Sequence, residues 1–266
     1  MIAEVKAMIR QHGSNSPVFF KNTEHAALAG KLAEHFGNQY FALPPIPREI
    51  FIDLVYHHDD GWKAIDDQPP LDAEGLPFDL QETPSRYLFE IINTSPAINE
   101  KRHPLAGLLD SMHLYGIYTG RYGLSDPPDW GHYTPEEKQQ LRQVLDQELA
   151  RQERLKSELA GMPWLHEEYL WTAYKLLQFF DMLALYFNRK AAGTRATESF
   201  EHVPWHTDED VCVSVHEVEK GIYHLVPFPF HDFPCEFSCQ GMRMVNASHS
   251  KGCQSEIFVE HYTLLA

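Results

Sequence analysis

His57-His58-Asp59-Asp60 places two imidazoles and two carboxylates in succession, within the stretch VYHHDDGW. The apolar run Ile50-Phe51-Ile52-Asp53-Leu54-Val55-Tyr56 leads into them as a helix, and Gly61-Trp62 lets it end. An acid at a helix C-terminus meets the negative end of the helix dipole, so Asp59 and Asp60 need a compensating partner. A metal ion is one such partner. Neutral imidazole and carboxylate together suit Zn, Mn or Fe and, with more oxygen ligands, Mg. A divalent ion held there lowers the pKa of a bound water and polarises a phosphoryl oxygen, with a nearby carboxylate as general base. Asp60 and His57 are the candidates for that assisting role. The alternative is a helix end in solvent or a buried polar network with no metal.

Three further stretches offer side chains for the same site. In EHAALAGKLAEHFG, Asn22 or Thr23 can cap a helix that Gly37 ends. Leu28, Leu32 and Phe36 form its apolar stripe, and His25 lies one turn before Leu28 on nearly the same side. In QFFDMLALYF a single acid, Asp181, interrupts an apolar helix over about 165–189. A carboxylate there is costly unless it is paired, protonated or bound to metal. In PLAGLLDSMHLYGIY, Asp110 and His113 share one face of a helix over 104–119.

The connecting segments are read from their punctuation. Residues 61–84 are rich in Gly, Pro and Asp and form a long loop, from which Trp62, Asp66, Asp67, Pro69 and Phe78 can fold back over the HHDD helix. A helix follows over 85–98, and Asp126-Pro-Pro-Asp129 breaks the chain after the 104–119 helix. A long amphipathic helix over 134–160 opens on Thr134-Pro135 with Glu137 completing a capping box, and its charged outer side carries no chemistry. Lys63, Arg86, Lys101 and Arg102 are available to a phosphate, although most such residues are simply solvated. After Gly193 the pattern becomes alternating: VCVSVHEV, GIYHLVPFPF, CEFSCQGMRMVN and EIFVEHYTLLA read as antiparallel strands.

The expected fold is therefore mainly α. A helical domain covers 1–192, with 134–160 as an insertion, and a smaller strand-rich appendage covers 193–266. That tail completes the pocket, covers a sheet edge or forms a homodimer. The formal charge of −16 argues against binding a nucleic-acid backbone. No apolar run approaches the ~18 residues of a membrane span, and the N-terminus lacks a secretory core, so a cytoplasmic protein without membrane contact is expected. Of the four cysteines, Cys235 and Cys239 are spaced C-x₃-C without a matching second pair, which favours free thiols over a zinc site. His231-Asp232, a second His-Asp pair, lies in a Pro-rich strand region and is given no metal role.

The order His25, His58-Asp59, Asp181 resembles the H…HD…D pattern of the HD-domain superfamily of metal-dependent phosphohydrolases, including its HD-x-G form as HDDG. Within that superfamily the chain is most similar to the DUF3891 family, through EHAALAGKLAEHFG, HHDDGWKAIDDQPPLDAEGLPFD and LLDSMHLYGIY, over roughly residues 20–190. The resemblance implies an HD-like helical core in which His25, His58, Asp59 and Asp181 hold a divalent metal. Some members bind a second metal through added histidines, for which His113 and, less directly, His103 are candidates. It implies hydrolysis of a small phosphorylated or nucleotide-like substrate. Two alternatives stand beside it: a di-iron oxygenase on the same scaffold, and a non-catalytic binding or structural module with a buried polar cluster.

Overall fold

Helices with one apolar face and strands with alternating burial assemble here around a single sheet. The computed structural model describes residues 7–69, 71–72, 74–121, 124, 129–205, 209–245 and 254–266. Its helices are α1 (Asn22–His35), α2 (Arg48–His57), α3 (Lys63–Asp67), α4 (Ser85–Arg102), α5 (Pro104–Thr119), α6 (Pro135–Glu158) and α7 (Glu167–Arg189). Its strands are β1 (Ala7–Gln11), β2 (Val18–Phe20), β3 (Phe78–Asp79), β4 (Glu198–Pro204), β5 (Asp210–Glu219), β6 (Ile222–Val226), β7 (Cys235–Val245) and β8 (Gln254–Leu265). The proposed break at Asp126–Pro128, and Cys253, lie outside the described residues.

The expectation of a mainly α, all-helical core with a strand-rich appendage is corrected. The eight strands form one mixed sheet in the order β3-β1-β2-β7-β8-β6-β5-β4. N-terminal β2 pairs antiparallel with C-terminal β7, so strands from before and after residue 193 share one sheet. Most neighbours are antiparallel, but β6 runs parallel to β8 and β1 parallel to β3. Of the two N-terminal strands, β2 coincides with the short strand that Pro17-Val18-Phe19-Phe20 suggests, whereas β1 escapes pattern reading for a physical reason. Met8, Ile9, Val18, Phe19 and Phe20 are all buried, and a strand covered on both faces shows no alternation. By contrast β7 alternates along much of its length, with Cys235, Phe237, Cys239 and Gly241 buried between more exposed neighbours.

The helices spread outward from this sheet. Helix α1 packs on β7 and α7, and α7 packs on β1 and β4; α2 packs on α1 and α7, and α5 on α7 and α2; α4 and α6 pack on α5. Gly30 permits the α1–α2 contact, because a Cβ there would lie 2.3 Å from the Tyr56 ring. The α6 capping box forms as expected, with Thr134 Oγ1 accepting from the Glu137 N–H and Glu137 accepting from the Thr134 N–H. Its buried side is not wholly apolar, however. Glu148 and Gln152 are buried against α5, where Ser111 donates to the Glu148 carbonyl and Gln152 donates to Ser111. No helix among the described residues is long and apolar enough to cross a membrane.

Candidate metal centre

Four elements bring their histidines and acids to one place. His25 comes from the first turn of α1, His58 caps the C-terminus of α2 with Asp59 next to it, His113 lies in α5, and Asp181 lies mid-way along α7. One ligand atom each from His25, His58 and Asp181 lie within 4.8 Å of one another. His25 Nε2 is 2.8 Å from Asp181 Oδ1, and His58 Nε2 is 3.8 Å from the same oxygen and 3.7 Å from Asp59 Oδ2. His113 Nε2 stands 3.6 Å from the other Asp181 oxygen. Ligands sharing one ion through bonds of about 2 Å must lie within about 4 Å of each other, and these pairs do.

The second ring nitrogens set the chemistry. His58 Nδ1 lies 2.8 Å from the Val55 carbonyl, which can only accept, so Nδ1 carries the proton. Whenever that ring is neutral, Nε2 is a bare lone pair, and it is buried without a hydrogen-bond partner. His25 Nδ1 likewise faces the Asn188 side-chain oxygen at 3.2 Å, which turns the Nε2 lone pair towards Asp181. Two acceptors cannot face each other bare at 2.8 Å; a proton or a cation must lie between them. Outer hydrogen bonds that fix the tautomer and aim the free nitrogens at a carboxylate are the arrangement metal ligands require.

The local electrostatics point the same way. Burial alone would lower the His58 imidazole, but Asp59 and then Asp181 outweigh it and push it up to about 10. Burial would raise Asp181, yet its bond to His25 and the surrounding imidazoles hold it well below the usual carboxylate range. Asp59 is pushed up to about 6 by burial, against the pull of His58 and His25. His113 is held down to about 4 by burial despite Asp181, so it is neutral at physiological pH. The carboxylates that draw a proton onto His58 would draw a divalent cation equally well.

The remaining candidates fall elsewhere. His57 Nδ1 is 3.2 Å from Asp60, and Asp60 is 3.6 Å from Arg102, in a network that does not line the cavity beside the cluster. His103 caps α5 by accepting from the Leu105 N–H at 3.0 Å. Asp110 is buried and accepts from Asn99 at 2.7 Å, while the same Asn99 amide reaches the His57 carbonyl at 2.9 Å. Asp66 folds back as expected but serves α1, accepting from the Asn22 and Thr23 N–H groups and from both their side chains. Asp67 pairs with Lys21, and Phe78 packs on the small cluster around Trp62, Tyr87 and Ile91. Gly61 does more than end α2: a Cβ there would sit 2.5 Å from Ser95 Oγ, to which its N–H donates. Lys63, Arg86, Lys101 and Arg102 do not line the cavity.

Cys235 and Cys239 are buried thiols four strand residues, or about 13 Å, apart, too far to share an ion. His231-Asp232 does meet a third group, His35, but on the surface and with the two imidazoles stacked at 13°. Asn188 and the cavity residues Gln178, Tyr118, Trp130 and Tyr133 were not singled out from sequence. The only signal for Asn188 was a polar residue at the end of an apolar helix, two turns beyond Asp181.

The cluster opens into a cavity of about 640 Å³, whose walls include Trp62, Ile117, Tyr118, Trp130, Met182 and Leu185. Residues 8–246 match the family model described as a protein of unknown function, DUF3891. Comparison with curated proteins finds no match, and neither does comparison with solved structures.

Proposed function

We propose, for a chain that belongs to the DUF3891 family and takes no activity from that family's description, that it is a metal-dependent hydrolase of phosphoric esters. His25, His58, Asp59 and Asp181 would hold one divalent ion, and His113 stands where it can serve a second. The observation that carries the reading is the pair of aimed ring nitrogens: Nδ1 of His25 and of His58 each meets an outer oxygen, of Asn188 and Val55, and both Nε2 atoms face Asp181. The order His, His-Asp, Asp on α1, α2 and α7 supports treating the chain as a divergent HD-type protein whose helical frame is built onto a sheet.

A divalent ion in that place supplies Lewis acidity towards a phosphoryl oxygen and an acidified water. The chain's own part is to fix the ligands and to exclude bulk water with the apolar wall. The Asn188 and Val55 acceptors orient the imidazoles, and Asn99 ties the end of α2 to α5. Asp59, at the cavity surface beside His58, is placed as a ligand, whereas Asp60 and His57, the candidates for an assisting proton transfer, face Arg102 and Asp53.

Elemental analysis of the purified protein beside His58→Ala tests the reading, with hydrolysis of a set of phosphate monoesters after loading with Mn²⁺ or Zn²⁺. Near-stoichiometric metal that is lost in the variant, with metal-dependent phosphate release, is expected. No metal after incubation with Mn²⁺, Fe²⁺ and Zn²⁺ overturns it and leaves a structural cluster. Two irons with O₂ consumption and no phosphate release would replace the hydrolase with an oxygenase.

A further inference from the structure

The cavity beside the cluster is unlike a nucleotide site. Arg189 is the only guanidinium or ammonium among the described residues that line it, and Asp59, Asp129 and Asp181 line it as well. A polyphosphate needs several convergent cations, and beyond the cluster that holds Asp59 and Asp181 this wall offers Arg189 alone, with Asp129 against it. The wall is otherwise mostly aliphatic and aromatic. Helix α5 contributes Leu114, Ile117 and Tyr118 beyond His113, and α7 contributes Met182 and Leu185 beyond Asp181.

Arg189 has a defined place relative to the cluster. Asp181, Leu185 and Arg189 recur every fourth residue on α7, so they share a face, and Arg189 is about 12 Å along the axis from Asp181. Leu185 lies between them. Arg189 is half-buried, and its side chain has no hydrogen-bond or ion-pair partner among the described residues. A guanidinium on a cavity wall without a partner is a ready site for one carboxylate or phosphate.

We propose that the substrate is a small amphipathic molecule: a reacting group at the metal cluster, an apolar or aromatic body between α5 and α7, and one anionic end on Arg189. The identity of the reacting group rests on the hydrolase reading; the apolar body and the anionic end rest on the cavity alone. Away from the cluster the same wall offers a nucleoside polyphosphate only Arg189, so it fits a substrate with one anionic end better than one with a run of phosphates.

Calorimetric titration of the whole chain, after chelator treatment, separates the two readings. The probes are octanoate, octan-1-ol and ATP, each against wild type and Arg189→Gln. Octanoate should bind about tenfold more tightly than octan-1-ol, the advantage of one charge-assisted hydrogen bond. Arg189→Gln should reduce octanoate to the level of octan-1-ol while leaving octan-1-ol unchanged, which also shows that the variant is folded. ATP should not displace octanoate, either from the chelator-treated chain or from the chain reloaded with Mn²⁺. Equal binding of octanoate and octan-1-ol to wild type, or ATP binding more tightly than octanoate, overturns the proposal. Metal content measured on untreated samples reports independently on the hydrolase reading. A metal-free chain that still prefers octanoate sinks that reading alone, and a metal-bearing chain without the preference sinks this one alone.

Discussion

Asp110 is a buried acid that the cluster does not recruit. Burial raises its carboxyl well above the usual range, against the hydrogen bond from Asn99 and the nearby His58. The unfolded chain ionises this group near its ordinary value of 3.8, while the folded chain keeps the proton longer. Its stabilising contribution is therefore complete below that value and declines as pH rises towards the folded pKa. Asp110→Asn keeps an oxygen for Asn99 and removes the titration. Urea denaturation at pH 5 and pH 7 should show the variant gaining on wild type as pH rises; a constant gap would show that Asp110 is ionised in the fold. At this scale the sequence was informative where the signal was local. A His-Asp pair ending an apolar helix, and one acid inside another, were visible as types and positions. The partners that aim them, the Val55 carbonyl and Asn188, were not, because they are set by backbone geometry and by a contact 163 residues away in sequence.

At the scale of elements, α1 begins without a cap of its own. Lys21 precedes it and offers no side-chain hydrogen bond, so the first N–H groups of the helix would be orphaned. Asp66 from α3 supplies both oxygens to them, at 2.8 and 3.0 Å. Helix α3 thus holds the helix that carries His25. Asp66→Ala should destabilise the fold by about 1–3 kcal/mol, the cost of unsatisfied buried donors, measured by chemical denaturation. A change under about 0.5 kcal/mol, the range of ordinary surface substitutions, would mean that water replaces the carboxylate. The helices themselves were legible because their apolar stripes and caps lie within a few residues. The role of Asp66 was not, since a loop acid carries no period and its partner is 43 residues earlier.

Across the whole molecule, Glu260 joins the ends of the chain. Its carboxylate accepts from Gln11 of β1 at 2.7 Å, from Arg195 at 3.0 Å and from Tyr262 at 3.1 Å, and from the Ala192 N–H at 3.2 Å. Arg195 is itself buried, against the rings of Phe187, Tyr223 and Tyr262. Glu260→Ala leaves that guanidinium without its counter-charge and should cost about 3–5 kcal/mol. A midpoint in urea that does not move would show that Arg195 reaches solvent in the variant. The mixed sheet was the least legible feature. Strand identity in the C-terminal third follows from alternation, but the pairing of β2 with β7 depends on short, fully buried strands that look like any apolar patch.

The ring of His25 leans on Asn188, and the Asn188 amide leans in turn on Cys239 of β7 at 3.5 Å. The first histidine of the cluster is thus oriented through a strand residue that lies 51 residues beyond Asn188 in the sequence. A nascent chain on the ribosome will have exposed His25 and the His-Asp pair long before it has Asp181, Asn188 or the sheet that seats them. The geometry at His25 can therefore close only after β7 has been made, so a chain cut between α7 and β7 should carry all the residues of the cluster without the support that orients the first of them.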